Sequence, residues 1–158
     1  MRQVIERKWF TAWAAGFFDG EGCIQIVLKR SKGSPKKLQE LGIFISQKDR
    51  RPLALLKERF GGSLFWVHGG VSVLQLGPRA GEVFLRAIYP YSQVKREQIR
   101  IALDFRDYQM AHRAHRGLMP AHVYAKREQF RQDLLKVRDN TSPYSHRRCV
   151  SGGEQLYD

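Results

Sequence analysis

Two carboxylates, Asp19 and Glu21, are interleaved with Gly20 and Gly22 at the foot of an apolar run from Trp9 to Phe18. The run reads as a helix, with Ala12, Ala15 and Gly16 as its small residues. The C-terminal end of a helix carries partial negative charge, so acids there are unfavourable unless something cationic meets them. One glycine after a helix is an ordinary stop signal. Two acids alternating with glycines are not. A divalent metal ion accounts for both features: the carboxylates hold it, and the glycines let other backbone or a ligand come close.

The elements that must position these acids follow from periodicity. Residues 1–8 read as a polar arm, and the helix covers Trp9 to Phe18. It is apolar nearly all round, which predicts burial on every side. Ala12 and Gly16 share a stripe along which another helix can approach closely. Cys23 to Arg30 alternates, with Ile24, Ile26 and Leu28 on one face and Gln25, Val27 and Lys29 on the other. After a basic turn that includes Ser31, Lys32, Lys36 and Lys37, a second alternating run points Leu41, Ile43 and Ile45 inward and Glu40, Gly42, Phe44 and Ser46 outward. Asp49 caps a helix running to Phe60, and Gly61-Gly62 ends it. A second hairpin turns at Gly69-Gly70. Leu64, Trp66 and His68 share one of its faces; Ser72 and Gln75 on the return strand cannot share one, so their facing stays open. Helices follow over 78–88, 93–110 and 121–138.

This order predicts an α+β fold in which four antiparallel strands carry helices on one face. The other face is left open, with Gln25, Lys29, Glu40, Phe44, Trp66 and His68 on it and basic loops around it. A two-stranded ribbon of that kind fits the major groove of B-DNA. Residues 1–110 form the core domain in this reading; 111–158 form a basic helical extension and a mobile tail. The net charge of +13 over 158 residues points to a polyanionic partner. Cys23 and Cys149 lack metal-ligand spacing and form no disulfide framework, which fits a reducing intracellular compartment (cytoplasm, nucleoid or organelle matrix). No apolar run is long enough to span a membrane, and the first residues are charged rather than signal-like.

Ala14-Ala15-Gly16-Phe17-Phe18-Asp19-Gly20-Glu21-Gly22 resembles the motif that names the LAGLIDADG homing endonucleases, with Ala14 in place of the usual leucine. Ser46-Gln47-Lys48-Asp49-Arg50-Arg51 resembles the end of that family's second strand, and Tyr89-Pro90-Tyr91 with Val94-Lys95-Arg96-Glu97-Gln98 resembles its active-site lysine segment. The three segments span roughly residues 10–110 in the family's order. The resemblance implies an αββαββα saddle that cuts a long pseudo-palindromic DNA duplex, leaving short 3′ overhangs. With one motif in the chain, it implies a homodimer whose axis runs along the motif helix, at Ala12, Trp13, Ala15, Gly16 and Asp19.

The resemblance also assigns roles. Glu21 and the Gly20 carbonyl would hold Mg²⁺; Mn²⁺ would substitute, and Ca²⁺ would allow binding without cleavage. Gln47 would orient the attacking water, Lys95 would stabilise charge or move a proton, and Arg51, with Arg50, would contact phosphate. Base and backbone contacts are expected from Gln25, Val27, Lys29, Ser31, Lys32, Lys36, Lys37, Glu40, Phe44, Arg50, Trp66, His68, Ser72 and Gln75. The host intron's RNA is a further implied partner. A non-cutting nucleic-acid binder of the same fold, such as a splicing cofactor or transcriptional regulator, is the alternative. Retention of Asp19, Glu21, Gln47 and Lys95 favours the nuclease.

Overall fold

Alternation in the first hairpin and helical periodicity elsewhere give the elements of the computed structural model, which describes residues 2–30, 37–113 and 119–141. In chain order these are α1 (Arg2–Glu21), β1 (Gly22–Arg30), β2 (Lys37–Gln47), α2 (Arg50–Phe60), β3 (Ser63–Val67), β4 (Val71–Leu76), α3 (Pro78–Ile88), α4 (Arg96–Ala111) and α5 (Ala121–Thr141). The strands form one antiparallel sheet in the order β1-β2-β4-β3. Ile24 pairs with Ile43 and Ile26 with Leu41, while Ile45 pairs with Leu74 and Ile43 with Leu76, so one face of the sheet is continuous and apolar. Ala14, Ala15 and Phe18 of α1, Leu53 and Leu56 of α2, Phe84, Leu85 and Ile88 of α3, and Ile99, Ala102 and Phe105 of α4 close over it.

Three expectations about α1 need correction. The predicted polar arm is helical from Arg2 onward, because Arg, Gln, Glu and Lys favour helix and nothing between residues 2 and 8 breaks one. At the other end the helix does not stop at Phe18 but takes in Asp19, Gly20 and Glu21. Nor is it buried all round: Trp9 is 73% exposed and Trp13 38%, and both lie on a stripe continued by Gly16 and Gly20, which are also exposed. Among the described residues, nothing lies within 4 Å of where a Cβ would sit at Gly16 or Gly20.

Gly22 is different. A Cβ there would sit 2.0 Å from Cδ2 of Phe18, whose ring is fully buried and meets Phe84 edge-on at 5.2 Å. The glycine lets the chain leave the helix and enter β1 directly over that ring. Gly22→Ala is expected to destabilise the protein by about 2–3 kcal/mol through overpacking. Thermal melting should show this as a fall of roughly 5–10 °C in the midpoint.

α2 begins as expected. The Asp49 side chain accepts a hydrogen bond from the Arg51 amide at 2.9 Å, and Pro52 sits in the first turn. The β3–β4 turn uses positive φ at Gly69 and Gly70, 83° and 73°. α5 packs on α4 and β1 and contributes to the core: Val123 and Leu134 are buried, and Phe130 meets Phe105 at 6.2 Å. Arg127 of α5 donates to the His112 carbonyl at 2.8 Å and the Gln109 carbonyl at 3.5 Å, capping the C-terminal end of α4.

Cys23 lies on the open face of edge strand β1, paired with Phe44. The chain's other cysteine, Cys149, lies outside the described residues. Among the described residues, no helix is long and apolar enough to cross a membrane.

Candidate active site and nucleic-acid face

The last turn of α1 separates its two acids. Asp19 is turned toward the segment that leads into α4. Its carboxylate accepts from the Ser92 hydroxyl at 2.6 Å and from the amides of Gln93, Val94 and Lys95 at 2.7, 3.1 and 3.1 Å. Those three amides lie at the N-terminal end of α4, where a helix carries partial positive charge. Thus the acid that looked misplaced at the end of one helix is held by the beginning of another. Burial pushes the Asp19 carboxyl up, but the Ser92 hydroxyl and the three amides outweigh it, and its pKa lies below the ordinary aspartate value.

Folding therefore favours the ionised form of Asp19. Its contribution to stability is complete above the ordinary carboxylate range and is lost as pH falls through the depressed folded-state value. Asp19→Ala should cost about 2 kcal/mol, since it strands donors that the carboxylate satisfied. Denaturant melts as a function of pH should show a flatter acid limb in the variant.

The same contacts place Lys95. Its ammonium donates to the Asp19 backbone carbonyl, one of the carbonyls that the end of α1 leaves free. Burial lowers the Lys95 pKa, and the charges of Asp19 and Glu21 act against that lowering. Lys95 therefore stands beside both acids in a partly desolvated position. Glu21 is exposed and, among the described residues, makes no hydrogen bond, so its carboxylate is available to a ligand. β2 runs two residues beyond the Gly22–Ile45 pair, so Gln47 ends the strand at the same end of the sheet as Glu21. The Gln47 carboxamide oxygen accepts from the Lys48 amide at 2.8 Å. Arg51 is turned away, held by Asp49 through contacts of 3.0 and 2.6 Å. That pairing holds the Asp49 carboxyl at a pKa of about 2.

The donor set fits a hard divalent cation. Glu21 and the Gly20 carbonyl offer oxygen only, and both residues are open to solvent. No cluster of three or more His, Cys, Asp or Glu exists among the described residues. Two such oxygen donors are fewer than the roughly six that a hard cation takes, so an ion held here would draw its other ligands from elsewhere.

Register decides which predicted contact residues share the open face. Gln25, Val27, Lys29, Glu40 and Gln75 lie on it. Lys29 and Glu40 form an ion pair there. Phe44 is on this face too but is not the exposed aromatic expected. It is only 8% exposed, because its ring folds over Gly42, where a Cβ would sit 3.0 Å from Phe44 Cε2. Trp66 and Ser72 belong to the opposite face. Leu64 pairs with Leu74 and enters the core, and alternation carries Trp66 and its partner Ser72 to the same side. Ser72 is fully buried, while Trp66, at the sheet edge, lies 5.4 Å beneath the Arg50 guanidinium. His68 sits exposed in the turn, and Lys37 is exposed at the start of β2. Ser31, Lys32 and Lys36 fall outside the described residues.

Of the predicted interface residues, Ala12, Trp13 and Gly16 lie on the open side of α1. Ala15 does not: it is fully buried under the chain's own helices, one residue round the helix from that stripe. Asp19 is committed to residues 92–95 of its own chain. Sequence reasoning missed Ser92 and Gln93 as the partners that hold it, and missed Phe65, Val67, Val71 and Val73 on the open face.

Residues 14–74 match a family model described as LAGLIDADG endonuclease. No curated protein matches by sequence. Among solved structures, the homing endonuclease I-CvuI, in complex with its target in the presence of calcium, superposes with a TM-score of 0.70 at 18% identity, covering 85% of each chain. The archaeal intron-encoded homing endonuclease I-Vdi141I, complexed with DNA, gives 0.69 at 17% identity over 95% of this chain and 89% of that one. Against the LAGLIDADG homing endonuclease I-GzeII, in complex with a DNA target, the TM-score is 0.59 at 17% identity; the match covers 81% of this chain but 43% of the other. The shared fold is the four-stranded antiparallel sheet with its helices.

Proposed function

As a chain with the motif segment and the fold of the LAGLIDADG homing endonucleases, this protein is, we propose, a homodimeric, metal-dependent endonuclease that cuts a long, roughly palindromic DNA duplex. The observation that carries the reading is the division of labour between the two acids. Asp19 is used up in holding residues 92–95, whereas Glu21 is left exposed beside Lys95. A non-cutting binder has no need of a solvent-facing acid next to the DNA; such an acid repels phosphate unless a cation intervenes.

The dimer follows from the open stripe of α1. Trp9, Trp13 and Gly16 are too apolar and too accessible to face water, and Gly16 leaves room for a second helix backbone. Pairing two copies through this stripe sets two Glu21 carboxylates near one axis. It also joins two sheets into one DNA-binding surface, and a two-fold protein calls for a two-fold target.

Glu21 and the Gly20 carbonyl would hold the divalent ion, Mg²⁺ by donor type, which when bound polarises a phosphoryl oxygen and lowers the pKa of bound water. Lys95 stands where it can stabilise negative charge that builds up on phosphate oxygens. Gln47, at the end of β2, would orient a water through its carboxamide. Asp19 acts at one remove, by fixing the backbone that carries Lys95. Arg51 would have to leave Asp49 to reach a phosphate, an exchange of one anionic partner for another.

A plasmid carrying the uninterrupted insertion site of the gene's host element tests the reading. With Mg²⁺, linear product with short 3′ overhangs supports it. Specific binding without scission in either Mg²⁺ or Mn²⁺ would replace it with a splicing or regulatory binder.

A further inference from the structure

The open face of the sheet is chemically divided. On the β1–β2 side Gln25, Lys29 and Glu40, groups that hydrogen-bond, are interspersed with Val27 and Leu38. On the β3–β4 side the register brings Phe65 opposite Val73 and Val67 opposite Val71, an apolar block bounded by Gln75 and Ser63. Val73 and Phe44 are buried and form its floor, while Phe65, Val67 and Val71 are half-buried and form its accessible part. An apolar block on a strongly basic protein is out of place on a surface that meets only phosphates or water. In the major groove one base-edge group is apolar, the C5-methyl of thymine.

We infer that Phe65, Val67 and Val71 read thymine methyl groups, so each half of the target carries a short thymine-rich stretch, on either strand, opposite the β3–β4 hairpin. The β1–β2 hairpin, where hydrogen-bonding groups are interspersed with apolar ones, reads its own base pairs mainly through hydrogen bonds. The inference rests on the endonuclease reading above, since it takes the open face as the one that meets duplex DNA.

The probe is a pool of duplexes with randomised half-sites, selected by binding in Ca²⁺. Recovered sites are then resynthesised with uracil replacing single thymines, which removes the methyl and nothing else. The expected result is two or three adjacent positions per half-site at which uracil weakens binding, by about three- to fivefold per methyl. Val67→Ser and Val71→Ser, which remove both side-chain methyls at half-buried positions, should abolish uracil sensitivity at those positions alone. Cytosine there should bind more weakly than 5-methylcytosine. Enriched sites whose thymines all tolerate uracil, or sensitivity unchanged in the serine variants, would overturn the inference while leaving the endonuclease reading intact. A pool that yields no enriched sequence would overturn both.

Discussion

Glu21→Gln is expected to reduce cleavage by about a thousandfold or more while leaving target affinity within about threefold. The side chain is exposed and, among the described residues, makes no hydrogen bond, so its replacement by a neutral isostere disturbs neither the core nor the anchoring of residues 92–95. What it removes is the carboxylate that, in the proposed function, holds the cation. Without metal, the variant should bind DNA at least as well as the native protein, because a negative charge facing the phosphates has gone. Band-shift titrations in Ca²⁺ and cleavage time courses in Mg²⁺, on the same duplex, separate the two effects. An equal loss of binding and cleavage would assign Glu21 a structural role instead.

Gly16→Phe should fail in a different way. In the single chain a side chain at this position meets open space among the described residues, and the fold should accept it: thermal stability at low concentration should change little. In the proposed homodimer the cost would fall on the partner helix. A phenylalanine on the stripe shared with Trp9 and Trp13 would push the second copy outward and displace one Glu21 relative to the other. Misplacement on the order of 1 Å is enough to cost about a hundredfold in rate. Sedimentation should give a mass of one chain rather than two, with cleavage lost alongside. Ala15, one residue earlier, gives the contrast. It is fully buried in its own subunit, so Ala15→Phe should unfold the chain rather than split the dimer.

The first hairpin was readable from the sequence because its inner positions, Ile24, Ile26, Leu41, Ile43 and Ile45, are all aliphatic and strictly alternate. The second was not. Leu64, Phe65, Trp66 and Val67 are apolar in succession, and a run of that kind does not say which half faces the core. Only the pairing of Leu64 with Leu74 settles it, which puts Trp66 and Ser72 on the helix-covered side, Ser72 buried and Trp66 exposed at the sheet edge. Phe44 could be placed on the correct face but not at the correct depth, since the space it fills is created by Gly42 beside it.

The motif segment was legible as a cluster of acids in need of a counter-charge. Which acid received one from the protein was not. Asp19's partners lie more than seventy residues further on, at the entry to α4, and nothing in the spacing of Ser92 to Lys95 marks them as donors to it. The resemblance pointed to Lys95, and the structure shows the means by which it is held: the carbonyl and carboxylate of one residue, Asp19. Arg51 illustrates the reverse case, in which a residue singled out for phosphate contact is bound to a neighbouring aspartate in the free chain.

In the proposed function, DNA cleavage depends on Glu21 at the end of α1. The most direct measurement is the rate at which native protein and Glu21→Gln linearise one plasmid bearing the target, in Mg²⁺, at concentrations where both occupy the site fully. Linear product is expected from the native protein and supercoiled plasmid from the variant. Equal rates from the two, or no scission by a native protein that footprints the site, would contradict it.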